Sequence, residues 1–197
     1  RYGKMTEKIE AYFMKELSEK AGRIAVFSLG LLIPFYPVRM VFLFLLATSL
    51  LPSDIQHKRL GSLLALPYSR QELFWISYLF LIAFGTVAQV IGMALFGAQF
   101  GSSTSIYWLS MLIGSISFST AYYAVSMISV TAGLDNFGIP FLVLIADLII
   151  GGFGNRCNNP YFYASPAHQG NVWVSGAVSL AVLLVANYLF VKKGVQK

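Results

Sequence analysis

The chain has 197 residues, 57% of them hydrophobic and 11% charged, with a mean hydropathy of +0.69. Soluble domains carry about 25% charged residues, so this composition argues against a water-soluble enzyme. Disorder is out because it needs low hydrophobicity and high net charge. What remains is a polytopic membrane protein, and with Cys157 as the single cysteine there is no disulfide scaffold.

In chain order, residues 1–23 come first. The chain opens on Arg1 rather than Met, which predicts residues ahead of it, and the stretch lacks the cleavage pattern of a signal peptide. Met5, Ile9, Tyr12, Phe13 and Leu17 recur at spacings of three and four and share one helical face. Glu16 and Lys20 stand at i, i+4 in the favourable order. The pattern predicts an amphipathic helix lying on a membrane surface, its lysines reaching toward headgroups. The plainer alternative is a solvated helix packed on a partner protein.

Residues 24–51 are apolar apart from Pro34, Pro37 and Arg39. Two spans need about 40 residues, so this stretch is short for two and long for one. Pro34, Tyr36 and Pro37 break it. It predicts either a short re-entrant hairpin or two spans, 24–36 and 37–51, with residues lost near 36–38; the second reading is preferred. A polar interlude, 52–73, precedes four clear spans at about 74–97, 106–130, 137–154 and 172–191. The whole is expected to be an all-α, polytopic bundle of six transmembrane helices: 1–23 an N-terminal amphipathic helix, 24–197 the transmembrane domain.

With six crossings, twelve of the fourteen basic residues fall on one side, and only Arg39 and Arg156 on the other. The positive-inside rule then puts both termini in the cytoplasm of a cell-membrane protein. The charge of +6 and pI near 9.5 are explained by this asymmetry, and no nucleic-acid partner is expected. Trp75 and Tyr188 fall at the inner boundary, and Tyr107, Trp108, Tyr161, Tyr163 and Trp173 at the outer one, as interfacial anchors.

The interlude carries the most information. Ser53 or Asp54 can cap a short helix after Pro52. Ile55, Leu60, Leu63, Leu64 and Leu66 give that helix an apolar side, and Asp54, Lys58 and Arg59 a charged one. Pro67 ends it. Ser69-Arg70-Gln71-Glu72 then reads as a capping box leading into the span near Phe74. A rigid amphipathic helix of this kind suits a contact that transmits force from a soluble partner.

The run DIQHKRLGSLLALPYSRQEL resembles the cytoplasmic signature of ATP-binding-cassette type-2 permeases. Asp54 matches the family's acidic position, followed by Gly61, Ser62, Leu63, then Leu66, Pro67, Ser69, Arg70 and Glu72. Ser62 stands where the family usually has threonine, and Leu64 where an acid is common. The resemblance implies the membrane subunit of an ABC exporter, dimeric with a second permease subunit and driven by a separate ATPase that binds ATP and Mg. Residues 54–66 would be its coupling helix, with Asp54, His57, Lys58, Arg59, Gly61, Ser62, Pro67, Ser69 and Arg70 at the ATPase contact. The chain holds no G-x-x-x-x-G-K-[ST] loop, so no cofactor is expected on it.

Asp147 falls mid-span, where a carboxylate costs about 2.5–3.5 kcal/mol. It predicts a substrate or ion contact, or a hydrogen-bonded packing residue. Gln89, Tyr122 and Tyr123 are further candidates for a substrate path. The alternative function is an ATP-independent, ion-coupled transporter or channel centred on Asp147. A non-transporting anchor is a third reading. Small residues at Ser110/Gly114 and Ser115/Ser119 read as helix-packing positions. His57 and His168 fall on opposite sides, and neither a metal site nor a hydrolase motif is present.

Overall fold

The computed structural model describes residues 2–33, 35–57, 68–96, 105–153 and 159–193. Among them lie nine helices and no strand. They are α1 (Tyr2–Glu19), α2 (Ala21–Leu32), α3 (Tyr36–Ser49), α4 (Leu51–Gln56), α5 (Arg70–Phe96), α6 (Ser105–Thr131), α7 (Gly138–Gly152), α8 (Tyr161–Ala164) and α9 (Val172–Lys193). The chain is thus all-helical. Three segments, Arg70–Phe96, Leu109–Thr131 and Val172–Lys193, are long and apolar enough to cross a membrane. Helices α2, α3 and α7, of 12, 14 and 15 residues, are apolar but shorter. At 1.5 Å per residue they run roughly 18–22 Å, against a hydrocarbon core of about 30 Å.

Helix α6 is the axis. Its most apolar window is 72% buried, against 33% for α5 and 28% for α9. Close packing on α9 depends on small residues: Ser175, Ser179 and Ala186 are buried, and a methyl at Gly176 would stand 3.3 Å from Ser117 Oγ. The α6 hydroxyls of Ser115, Ser117, Ser119 and Thr120 donate to carbonyls four residues back, so they need no outside partner. Gly114 lies against the Gln169 side chain of the segment before α9, and Ser110 is exposed.

Helix α2 ends at Leu32 and α3 begins at Tyr36; the two pack together, and Gly30 lies against the Phe42 ring. Helix α1 continues into α2 across Lys20: Lys20 N–H donates to Glu16 O at 3.0 Å and Ile24 N–H to Lys20 O at 2.9 Å. At the start of α5 the capping box is complete. Ser69 N–H donates to Glu72 Oε2 at 2.8 Å, and Glu72 N–H to Ser69 Oγ at 3.1 Å.

On α1, Tyr12 and Glu16 are buried in the bundle, while Leu17 is exposed. One expectation changes at the segment that follows α3. Helix α4 begins at Leu51, with Leu50 as its N-cap residue, not Ser53 or Asp54. Pro52 fits the first turn because its missing N–H is unpaired there anyway. That leaves Ser53 and Asp54 inside the helix.

Close approach between α2 and α5 is fixed by Gly92, where a methyl would fall within 2.9 Å of Leu32 backbone carbon. Gly92→Ala is expected to cost about 1–3 kcal/mol by overpacking, read as a lowered melting temperature in detergent.

Candidate functional site

Two polar constellations sit at opposite ends of the bundle. At the α4 end, Lys20 Nζ lies 2.9 Å from Glu16 Oε2 and 3.0 Å from Asp54 Oδ2. It also donates to Leu50 O at 3.4 Å. Lys15 stands 3.7 Å from Glu16 and 4.0 Å from Asp54. The exposures of Glu16, Lys20 and Asp54 are 0%, 6% and 2%, so this is a buried ion cluster in which each charge requires the others. Burial pushes the Glu16 carboxyl above its ordinary range despite the opposing pull of Lys20. Lys8 pairs with Glu72 at 3.1 Å, and Tyr68 hydroxyl donates to Lys8 O at 2.8 Å. Helix α1 is therefore clamped to α4 and to the start of α5.

The other side of α4 is held as well. Gln56 Nε2 donates to Asp135 Oδ1 at 2.6 Å, and Asn136 N–H donates to Gln56 Oε1 at 2.8 Å. Asn136 Nδ2 reaches Thr48 O at 2.9 Å. Asp135 also receives the N–H groups of Phe137 and Gly138 at the head of α7. These backbone donors, Gly138 foremost, and then Gln56 hold its carboxyl below the usual range. Beside the ion cluster lies a cleft of about 280 Å³ lined by Glu19, Lys20, Arg23, Ser53, Asp54 and His57.

At the α8 end, Asp147 is 3% exposed and accepts four hydrogen bonds. Oδ1 takes Tyr161 hydroxyl at 2.8 Å and Ser165 Oγ at 2.6 Å. Oδ2 takes Tyr122 hydroxyl at 2.7 Å and Ala167 N–H at 3.2 Å. The segment after α7 has thus folded back along the bundle to reach a residue more than a turn inside that helix. Tyr36 hydroxyl donates to Ala167 O at 3.2 Å, and Gln169 Nε2 to Gly114 O at 2.7 Å, which tie the same segment to α3 and α6. A cavity of about 160 Å³ adjoins Asp147, between α6, α7, α8 and α9.

The sequence-predicted residues divide as follows. Asp54, expected on a charged face open to a partner, is turned inward onto Lys20, and Lys20 itself does not point to headgroups. His57 is exposed; its Nδ1 lies 2.8 Å from Ser53 O. Ser69 is the α5 cap, and Arg70 is exposed beside it. Lys58, Arg59, Gly61, Ser62 and Pro67 lie outside the described residues. Tyr122 meets Asp147, whereas Tyr123 donates to Phe74 O at 3.2 Å as a packing group. Gln89 is buried facing Ser115 and Ser119, and its Oε1 has no hydrogen-bond partner among the described residues. Tyr161, read as an interfacial anchor, is a ligand of the Asp147 carboxylate. Ser165 and Ala167 escaped sequence reasoning; a mid-span acid followed by a hydroxyl-rich loop was the available signal. Among the described residues no group of three His, Cys, Asp or Glu could hold a metal.

No family model, no curated protein and no solved structure matches the chain.

Lys20→Met leaves Glu16 and Asp54 buried without their cation. Its expected cost is about 3–5 kcal/mol, with partial recovery in the Lys20→Met/Asp54→Ala pair, read by thermal melts as a double-mutant cycle. Asp147→Asn trades an acceptor for a donor that faces hydroxyls. Amide exchange over 161–169 should rise while α6 stays protected, since each hydrogen bond to a charged group is worth about 1.5–3 kcal/mol. Because the native Asp135 carboxyl titrates low, its tie between α4 and α7 is fully present above about pH 4. The tie is lost as pH falls through the native value, so Asp135→Asn should flatten the acid limb of the melting-temperature profile.

Proposed function

We propose that the chain is the membrane subunit of an ABC exporter of the type-2 permease kind, working as a dimer and driven by a separate ATP-binding subunit. The single observation that carries this reading is how α4 is held. Lys20 grips it from α1, and Asp135 and Asn136 grip it from the head of α7. Whatever pushes on the segment following α4 therefore moves α1, α5 and α7 together, which is what a coupling element must do. The signature DIQHKRLGSLLALPYSRQEL, with its working capping box, supports the same reading.

In this proposal six segments cross the cell membrane, with the α2–α3 hairpin supplying the first two. Lys8, Lys15, Lys20, Arg70, Lys192 and Lys193 all belong to the α4 end, which supports a cytoplasmic α4 end by the positive-inside rule. Asp54 acts here as the internal anchor of the coupling segment, while His57, Lys58 and Arg59 meet the partner. An ion-coupled transporter centred on Asp147 fits less well, because neutral donors already fill the acceptor positions of that carboxylate.

The deciding experiment is purification of the tagged chain from its native membrane in gentle detergent, with mass spectrometry of what accompanies it. A stoichiometric soluble protein with a phosphate-binding loop is expected. A homo-oligomer alone, with and without crosslinker and ATP analogue, would sink the reading. In the complex, Arg59→Glu should lower substrate-stimulated ATP hydrolysis by about ten-fold with an unchanged melting temperature.

A further inference from the structure

The ion cluster between α1 and α4 does not balance. Its contacts, none longer than 4.0 Å, join Lys15 and Lys20 to Glu16, Glu19 and Asp54. Two lysines meet three carboxylates, one positive charge short. The deficit falls where it is hardest to bear. Among the buried members Lys20 stands alone against Glu16 and Asp54, and Lys15 is divided, 3.2 Å from Glu19 and 3.7 Å from Glu16. A surplus negative charge closed off from water is relieved by taking up a proton.

The hydrogen bonds say which carboxylate takes it. Lys20 Nζ donates to Asp54 Oδ2 at 3.0 Å and to Leu50 O at 3.4 Å. Neither oxygen of Glu16 accepts a hydrogen bond, although the residue is wholly buried. The Tyr12 hydroxyl, one turn back on α1, faces Ser77 of α5, and neither of those oxygens makes a well-formed hydrogen bond either. A neutral Glu16 carboxyl gains an O–H that can donate to the Tyr12 oxygen. The titratable groups facing Glu16 are Tyr12, Lys15 and Lys20 on α1, Asp54 on α4 and Tyr123 on α6, with Glu19 behind Lys15. Lys8 and Glu72 are spent on each other, and Arg23 and His57 line the adjoining cleft without joining these ion pairs.

We infer that the Glu16 carboxyl is a proton-binding site, neutral while α1 is closed on α4, and that losing this proton loosens the clamp. The proton site stands on the cluster alone; its use as a switch on coupling rests on the permease reading. A carboxyl that keeps its proton longer in the folded chain contributes stability that is full below about pH 4 and is lost as pH rises through its native range. That is opposite in sign to the contribution of Asp135.

The test is a pH titration of the purified full chain in detergent, read by melting temperature and by the infrared carbonyl band of a neutral carboxylic acid. Between about pH 5 and pH 8 the wild-type melting temperature should fall about 3–6 °C further than that of Glu16→Gln, whose amide stays neutral throughout. The wild-type acid band should fade over the same interval, and the fading part should be missing in Glu16→Gln. Equal slopes, a fading band that survives in Glu16→Gln, or a Glu16→Gln chain less stable than wild type at the alkaline end would each overturn the site. Stability restored at that end by sodium but not by potassium would put a metal ion in the proton's place and overturn it too. Should Glu16→Gln fail to fold, Asp54→Asn, which leaves two lysines to two carboxylates, should move the fading to lower pH, and an unmoved interval overturns the proposal. A wild-type chain with no fading band does so without any variant. In the complex, Glu16→Gln should flatten the pH dependence of ATP hydrolysis. A proton site in a chain with no ATPase partner keeps the site and removes its use in coupling; a partner without a proton site does the reverse.

Discussion

A charge taken out of water must be met, and the two ends of this bundle meet it in different ways. At the α4 end the solution is ionic: Lys20 between Glu16 and Asp54, with Lys15 alongside. At the α8 end it is neutral, with three hydroxyls and one backbone N–H around Asp147. The first solution joins segments 34 residues apart and sets where α1 turns into α2. The second pulls the segment after α7 back into the bundle. Between these ends the packing is mostly apolar and small-residue, and the α6 hydroxyls of Ser115, Ser117, Ser119 and Thr120 bond to their own backbone.

This division gives the two ends different mechanical characters. An ion cluster that desolvates several charges is strong only while all members are present, so the α4 end behaves as one rigid block. The α8 end is held bond by bond: each hydroxyl or N–H that left Asp147 would forfeit about 1.5–3 kcal/mol and begin to bare a buried anion.

Much of this was legible in the sequence where the interaction is local. The Ser69–Glu72 capping box and the Glu16–Lys20 pair span three and four residues, and both form. The helical class and the long apolar helices follow from composition and run length. What was not legible is long-range. Periodicity sees only one helix, so it gave Glu16 no partner beyond Lys20; Lys15 and the neighbourhood of Asp54 complete its burial in three dimensions. Asp54 looked outward-facing for the same reason. Asp147 was recognised as anomalous, but its donors come from residues 122, 161, 165 and 167, which form no motif. Tyr161 was hidden by a plausible second role as an interfacial aromatic.

Helix α7 buries only four of its fifteen residues, Pro140, Leu144, Asp147 and Gly151, along one line, with Phe141 packed on Phe44 beside it. The remaining positions are open, and most of those are aliphatic or aromatic. In a random library, α7 should therefore tolerate apolar substitution widely at its open aliphatic positions, and little at those four or at Gly138, where a methyl would stand 2.9 Å from Asp135 Oδ2. Relatives of this chain should be recognisable in this region by a spaced quartet of proline, leucine, aspartate and glycine rather than by overall similarity.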